Sequence, residues 1–316
     1  MSLPGAEIIT NGVFVAITAH GLIGLSLVWD KVLLRQPGTR NLISYVFWLG
    51  SLSVLGLVLI PFGYEQPSWW LAAFAVATGV LELASNYFYY AALKAGEASE
   101  TLAVMGGFSP LATVLFSVAL IAQPLGNRSV LGFALLVAGG FVMFSAENVN
   151  VRALLPLVLL ASVSFGLTNV LEKMVFERTN FVTGFVFLTL GTFLGSMGLL
   201  VRRSWREQIA QSSGGASPRS KVGYMINRVA AGFGSFLVFY AISRTSPAIV
   251  DAISGLRYAI VFILAWMLTR LKPDWLMEDF TRRVIVMKSL ATLLVIAGLV
   301  VLGLGAEGQT GARAPR

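Results

Sequence analysis

The sequence predicts an all-α polytopic membrane protein of about ten transmembrane helices, arranged as two inverted five-helix repeats. Three observations carry this reading. Of 316 residues, 56% are hydrophobic and only 12% charged, against about 25% charged in soluble domains. A chain this apolar cannot cover a water-facing surface, so bilayer is its solvent. Apolar runs of about 20 residues, the length that crosses a hydrocarbon core of about 30 Å, recur along the whole chain. The motifs of the first half also return in the second, in the same order.

The runs lie at 10–29, 42–63, 68–92, 98–121, 129–146, 153–175, 181–201, 222–243, 246–270 and 284–305. The opening MSLPGAEIIT has no Lys or Arg, and the apolar stretch behind it is too long for a secretory h-region, so the first run reads as a retained span. Short turns separate the next runs, RQPGTRN at 35–41 and YEQPSW at 64–69 among them. Each run is apolar around its whole circumference, with no period-two alternation, which favours helices over a barrel. RRSWREQIAQSSGGASPRSK at 202–221 reads as a basic, Gly/Ser-rich connector and AEGQTGARAPR at 306–316 as a disordered tail. The expected division is therefore 1–150, 151–305 and the tail 306–316.

GLSLVWDKVLL at 24–34 returns as GLTNVLEKMVF at 166–176, with Asp30 opposite Glu172 and Lys31 opposite Lys173 at a shift of 142. FYYAALKAGEAS (88–99) returns as VFYAISRTSPAI (238–249), with Tyr90 opposite Tyr240 at 150. LLVAGGFVMF (135–144) returns as LLVIAGLVVL (293–302), with Gly140 opposite Gly298 at 158. The shift grows only across intervals that hold long loops, which keeps the spans in register. Five spans per half is an odd number, so the second copy enters the membrane inverted, and inverted repeats place a pocket near the midplane. The acid–Lys pair thus closes the first span of each half on opposite faces, as an interfacial anchor or as a gate.

Several function classes fall away. No Cys is present, which excludes disulfides, thiol catalysis and Cys-ligated metals. A lone His20 cannot form a His cluster, so no metal site or cofactor is expected. Net charge is +8, but the basic residues sit between apolar runs and no nucleic-acid face is formed. There is no Walker loop and no G-x-S-x-G, and neither ATP driving nor hydrolysis is indicated; the expectation is a protein that is not an enzyme.

The pattern resembles the drug/metabolite transporter superfamily, specifically its EamA-type members. The resemblance rests on YYAALKAGEASETLAVMGGFSPLATVL (89–115), on FYAISRTSPAIVDAISGL (239–256), on Pro110 and on the Gly-rich stretch 132–140. Two departures stand out: Ala122-Gln-Pro where members often carry Gly-Glu, and Ala259-Ile260 where the second half would carry Pro. The resemblance implies a secondary active transporter that moves a small metabolite or drug-like solute by alternating access, proton-coupled or exchanging. A carrier or flippase of a lipid or lipid-linked sugar is the alternative, and Glu82 with His20 leaves an acid/base enzyme as a third reading. Spans one, three, four, six, eight and nine are implied to line the cavity. The implied setting is a bacterial plasma membrane, with membrane lipids and a small-molecule substrate as partners and a monomer or homodimer as the assembly.

Charges at the bilayer centre cost about 2.5–3.5 kcal/mol each, which singles out Glu82 in the third run and Arg257 in the ninth. They read either as an ion pair joining the halves, or as a site where Glu82 takes a proton or cation and Arg257 an anionic group. Asn86 one turn beyond Glu82, and Asp251 with Ser254 before Arg257, extend polar stripes. His20 suits proton coupling or a hydrogen bond to a neighbouring span. Asp251 and Arg228 lie within snorkelling reach of an interface. Trp29, Tyr90 and Tyr240 read as belt residues, and Gly191, Gly195 and Gly198 as a close-packing face or a dimer face. The bias of Lys and Arg to odd-numbered loops puts the termini outside, whereas the resemblance implies cytoplasmic termini.

Overall fold

A computed structural model describes residues 12–35, 40–96, 98–123, 127–146, 151–215, 217–271 and 282–310. The described residues form helices joined by short connections, with no strand among them. Helix α1 spans Gly12–Arg35 and α2 Leu42–Leu52, continued by a 3₁₀ helix Ser53–Phe62. Next come α3 Trp69–Ala95, α4 Ala98–Ile121, α5 Asn127–Ala146, α6 Val151–Phe176 and α7 Phe181–Gly198. The remainder are α8 Arg203–Gly215, α9 Pro218–Arg244, α10 Pro247–Ile253, α11 Leu256–Leu271 and α12 Arg282–Thr310. Among the described residues seven helices are long and apolar enough to cross a membrane, with shorter apolar stretches in α5 and α11. The chain is thus an all-α, multi-pass membrane protein.

Local chemistry sets several helix starts. Asn41 accepts from the Ser44 amide at 2.9 Å and Asn180 from the Thr183 amide at 2.8 Å, so α2 and α7 begin on capped donors. Ser217 caps α9, with Pro218 supplying the preset φ of a first helical position. Gly63 ends the 3₁₀ segment at φ +115°, a conformation that glycine adopts without steric cost.

Four expectations change. The second span is α-helix for only half its length before tightening to 3₁₀, where Gly56 presses against Thr189 of α7. The ninth is broken at Ser254-Gly255 into α10 and α11. The 202–221 connector holds helix α8, whose Ile209 is buried and whose Gln208 accepts from Asn41 Nδ2 at 3.1 Å. Residues 306–310 of the expected disordered tail continue α12, and 311–316 lie outside the described residues.

Helix α1 packs on α9 and α11, α6 on α3 and α4, α7 on α3, and α5 on α12. Glycines let the closest of these pairs meet. A Cβ at Gly79 would overlap the Leu188 carbonyl, and one at Gly191 the Val76 carbonyl, so α3 and α7 touch backbone to backbone. Gly191 and Gly195 therefore spend their small face inside the molecule, while a Cβ on Gly198 meets nothing within 4 Å. Gly79→Val or Gly191→Val is expected to cost about 1–3 kcal/mol through forced backbone shifts. Gly198→Ala is expected to stay within about 0.5 kcal/mol. Thermal unfolding in detergent distinguishes the two classes.

Candidate functional site

A cavity of about 700 Å³ is lined by α1, the second span, α3, α4, α6, α7, α9 and the broken ninth span. Its size lies within the range of small-molecule sites. Beyond the six spans implied by the resemblance, the second and seventh also contribute, whereas α5 and α12 supply none of its lining among the described residues.

A buried ion pair forms part of the cavity wall, beside the start of the second span. Asp30 of α1 meets Arg228 of α9, and both side chains are almost fully shielded. Asp30 also accepts from Tyr45 OH and Asn227 Nδ2, each at 2.5 Å, and from Tyr90 OH at 3.1 Å. Arg228 donates to Tyr90 OH at 2.9 Å, and its guanidinium lies 5.5 Å from the Tyr45 and Tyr224 ring centres and 5.8 Å from that of Tyr90. Ser26 Oγ donates to Asn227 Oδ1 at 2.8 Å, which orients the amide toward Asp30. Tyr224 OH donates to the Tyr45 carbonyl at 2.9 Å and ties α9 to the start of α2. Buried charges are tolerated when paired and hydrogen-bonded in this way. Arg228 thus turns inward to Asp30, contrary to the expected snorkelling, and Tyr90 belongs to this cluster instead of an aromatic belt.

The acid–Lys motif divides its labour. Lys31 Nζ donates to the Leu93 and Gly96 carbonyls at the end of α3. Lys173 Nζ donates to the Ser243 carbonyl at the end of α9, at 3.3 Å. A cation on the last carbonyls of a helix satisfies orphan acceptors and offsets the negative end of its dipole. Both lysines therefore anchor a helix end, while both acids line the cavity. Asp30 is saturated with donors. Glu172 has no hydrogen-bond or ion-pair partner among the described residues and lies within electrostatic reach of Glu82 and Asp251.

Glu82 Oε2 accepts from Thr192 Oγ1 at 3.1 Å, a hydroxyl also within reach of the Gly79 and Leu188 carbonyls. Asn86 Nδ2 donates to the Glu82 backbone carbonyl at 2.9 Å, so the two share a face without bonding through their side chains. Asp251 is held by Ser109 Oγ at 2.8 Å and Thr113 Oγ1 at 2.5 Å, both from α4.

Arg257 does not reach Glu82 among the described ion pairs; its Nε donates to His20 Nδ1 at 2.9 Å. Because Nδ1 accepts, the His20 proton sits on Nε2, which contacts the Val250 carbonyl at 2.8 Å. The break in the ninth span explains why that carbonyl is free. Ser254 N donates to Asp251 O, three residues back, and Gly255 N to Ala252 O, so Val250 O loses its helical donor. His20 replaces it. Asp251 and Ser254 flank this turn, and both line the cavity with Arg257. For Tyr45, Tyr224 and Asn227 the sequence carries a single signal, polarity on otherwise apolar helices.

Comparison with known proteins gives three findings. Residues 10–145 match the EamA-like transporter family. No curated protein matches. A solved crystal structure of a protein with 16% identity covers 96% of this chain and 99% of its own, at a TM-score of 0.58, which shows a shared fold. The first half of this multi-pass membrane protein is thus similar to the EamA-like transporter family, and its fold is shared with a solved structure.

Proposed function

We propose that the protein is a secondary transporter in which two inverted five-helix repeats, 1–150 and 151–305, alternately expose the central cavity. Equivalent positions support the repeat. Lys31 binds the Leu93 carbonyl and Lys173 the Ser243 carbonyl, positions related by the same shifts of 142 and 150 that the sequence motifs show. The α1–α9 and α6–α3 contacts correspond in the same way.

The observation that carries the chemistry is the charge of the lining. Four carboxyls, Asp30, Glu82, Glu172 and Asp251, face two guanidiniums, Arg228 and Arg257. Arg228 is spent on Asp30, and Arg257 stands in the field of Asp251. Glu82 and Glu172 are left over, on opposite halves. The substrate therefore carries positive charge, an amine or a quaternary ammonium, and competes with protons for these carboxyls. In proteoliposomes holding a pH-sensitive dye, small organic cations added outside are expected to drive proton movement across the membrane. Anions of equal size are expected to produce none. Absence of any cation-dependent proton movement overturns this reading.

A further inference from the structure

We propose that the cavity takes a cationic amphiphile sideways from the bilayer, its head at Glu82 and Glu172 and its alkyl tail in a slot between the 3₁₀ helix and α9. The inference rests on the charge reading above and adds the route and the chemical class of the ligand.

The second span and α9 meet beside the Asp30–Arg228 pair through Tyr45 and Tyr224, whose rings lie 4.9 Å apart. Beyond it the cavity is bordered by the 3₁₀ helix on one side and by α9 residues 229–236 on the other. Leu55 and Val58 form one wall, 61% and 68% exposed; Val229 and Phe233 form the other, 62% and 57% exposed. These four residues line the cavity and also face outward, where the surroundings of a spanning helix are acyl chains. The mouth is therefore apolar on both sides and opens to lipid.

The backbone geometry makes it a slot. In a 3₁₀ helix, side chains three apart eclipse, so Leu55 and Val58 stack into a rail. On α9, Val229, Gly232, Phe233 and Phe236 recur at the three- and four-residue spacing of one α-helical face. Gly232 lines the cavity, and a Cβ built on it meets nothing within 4 Å. The passage is open at that residue. A water-borne metabolite has no use for an apolar rail; an alkyl chain does. The same cavity carries the surplus carboxyls Glu82 and Glu172, which suit a cationic head.

The test uses the full chain in lipid nanodiscs, with empty nanodiscs as blank, and three probes: tetramethylammonium, dodecyltrimethylammonium and dodecyl sulfonate. The wild type is expected to bind the dodecyl cation at least about 30-fold more tightly than tetramethylammonium, a small part of what eleven further methylenes can contribute. Gly232→Phe fills the slot and is expected to bring that ratio within about threefold while leaving the tetramethylammonium Kd within about twofold, because its ring displaces the tail alone. Val58→Trp, on the opposite exposed wall, is expected to do the same. No chain-length preference in the wild type, or a preference intact in both variants, overturns the slot. Dodecyl sulfonate binding as tightly as the cation overturns the cationic head, and with it the charge reading, independently of the slot.

Discussion

Arg228→Met is expected to destabilise the protein by about 3–5 kcal/mol, the cost of leaving one member of a buried ion pair without the other. Asp30 lies at the centre of a cluster with donors from α1's neighbours on every side: Tyr45 from α2, Tyr90 from α3, and Asn227 and Arg228 from α9. Removing the guanidinium leaves a carboxylate with neutral donors alone in a low-dielectric site. The hydrogen bonds remain, but the compensating charge is gone. Asp30→Asn combined with Arg228→Met removes both charges and is expected to recover most of the loss, because an amide keeps acceptor and donor capacity for the tyrosines and Asn227. Unfolding in detergent, followed by near-ultraviolet dichroism, measures both variants. A single variant as stable as the wild type would mean that the pair contributes nothing to stability.

Glu82→Gln carries the largest expected effect on transport. Concentrative flux of an organic cation under a proton gradient is expected to fall to background, since an amide neither releases a proton nor balances a cation. Counterflow between equal cation pools is expected to persist, because Glu172 on the opposite half remains and the cavity keeps its shape. Stability should change little: Glu82 gives up a single bond from Thr192, whose hydroxyl has the Gly79 and Leu188 carbonyls as alternatives. Glu172→Gln is expected to weaken cation binding about tenfold, the order of one lost charge–charge contact. Unchanged flux in Glu82→Gln with a flat pH profile contradicts the coupling role.

Much of the fold could be read before the structure, and the reasons are physical. Apolar length reports the thickness of the solvent a helix must cross, so the spans were visible wherever apolar runs persisted. The repeated acid–Lys pair was legible too, because both lysines do the same job at equivalent helix ends. What could not be read were contacts between distant spans. Arg228 sits ten residues into its helix, and counting from the end places it in snorkelling range. Its partner Asp30 is 198 positions away, and no periodicity encodes that pairing. Glu82 and Arg257 share a high cost at mid-span, but depth is not direction: Arg257 turns to His20, while Glu82 turns to Thr192. The 3₁₀ stretch escaped because SVLGLVLIPF is apolar whichever helix it forms, and only the approach of Gly56 to Thr189 reveals the tightening. Helix α8 was hidden by its Ser and Gly content, which suggested a loop although Trp205, Ile209 and Gln208 gave it one packing face.

Alternation of access between the two halves is the central claim, and a cysteine-free chain allows one direct measurement of it. Spin labels at residues 58 and 229 report the slot between the 3₁₀ helix and α9; a second pair at residues 40 and 221 reports the side of the Asp30–Arg228 pair. Electron–electron distance distributions would be recorded in nanodiscs at low and high pH, with and without an organic cation. Alternating access predicts that the first distance shortens under the same conditions in which the second lengthens. Distances that stay fixed at both places across every condition, or that lengthen together, contradict it.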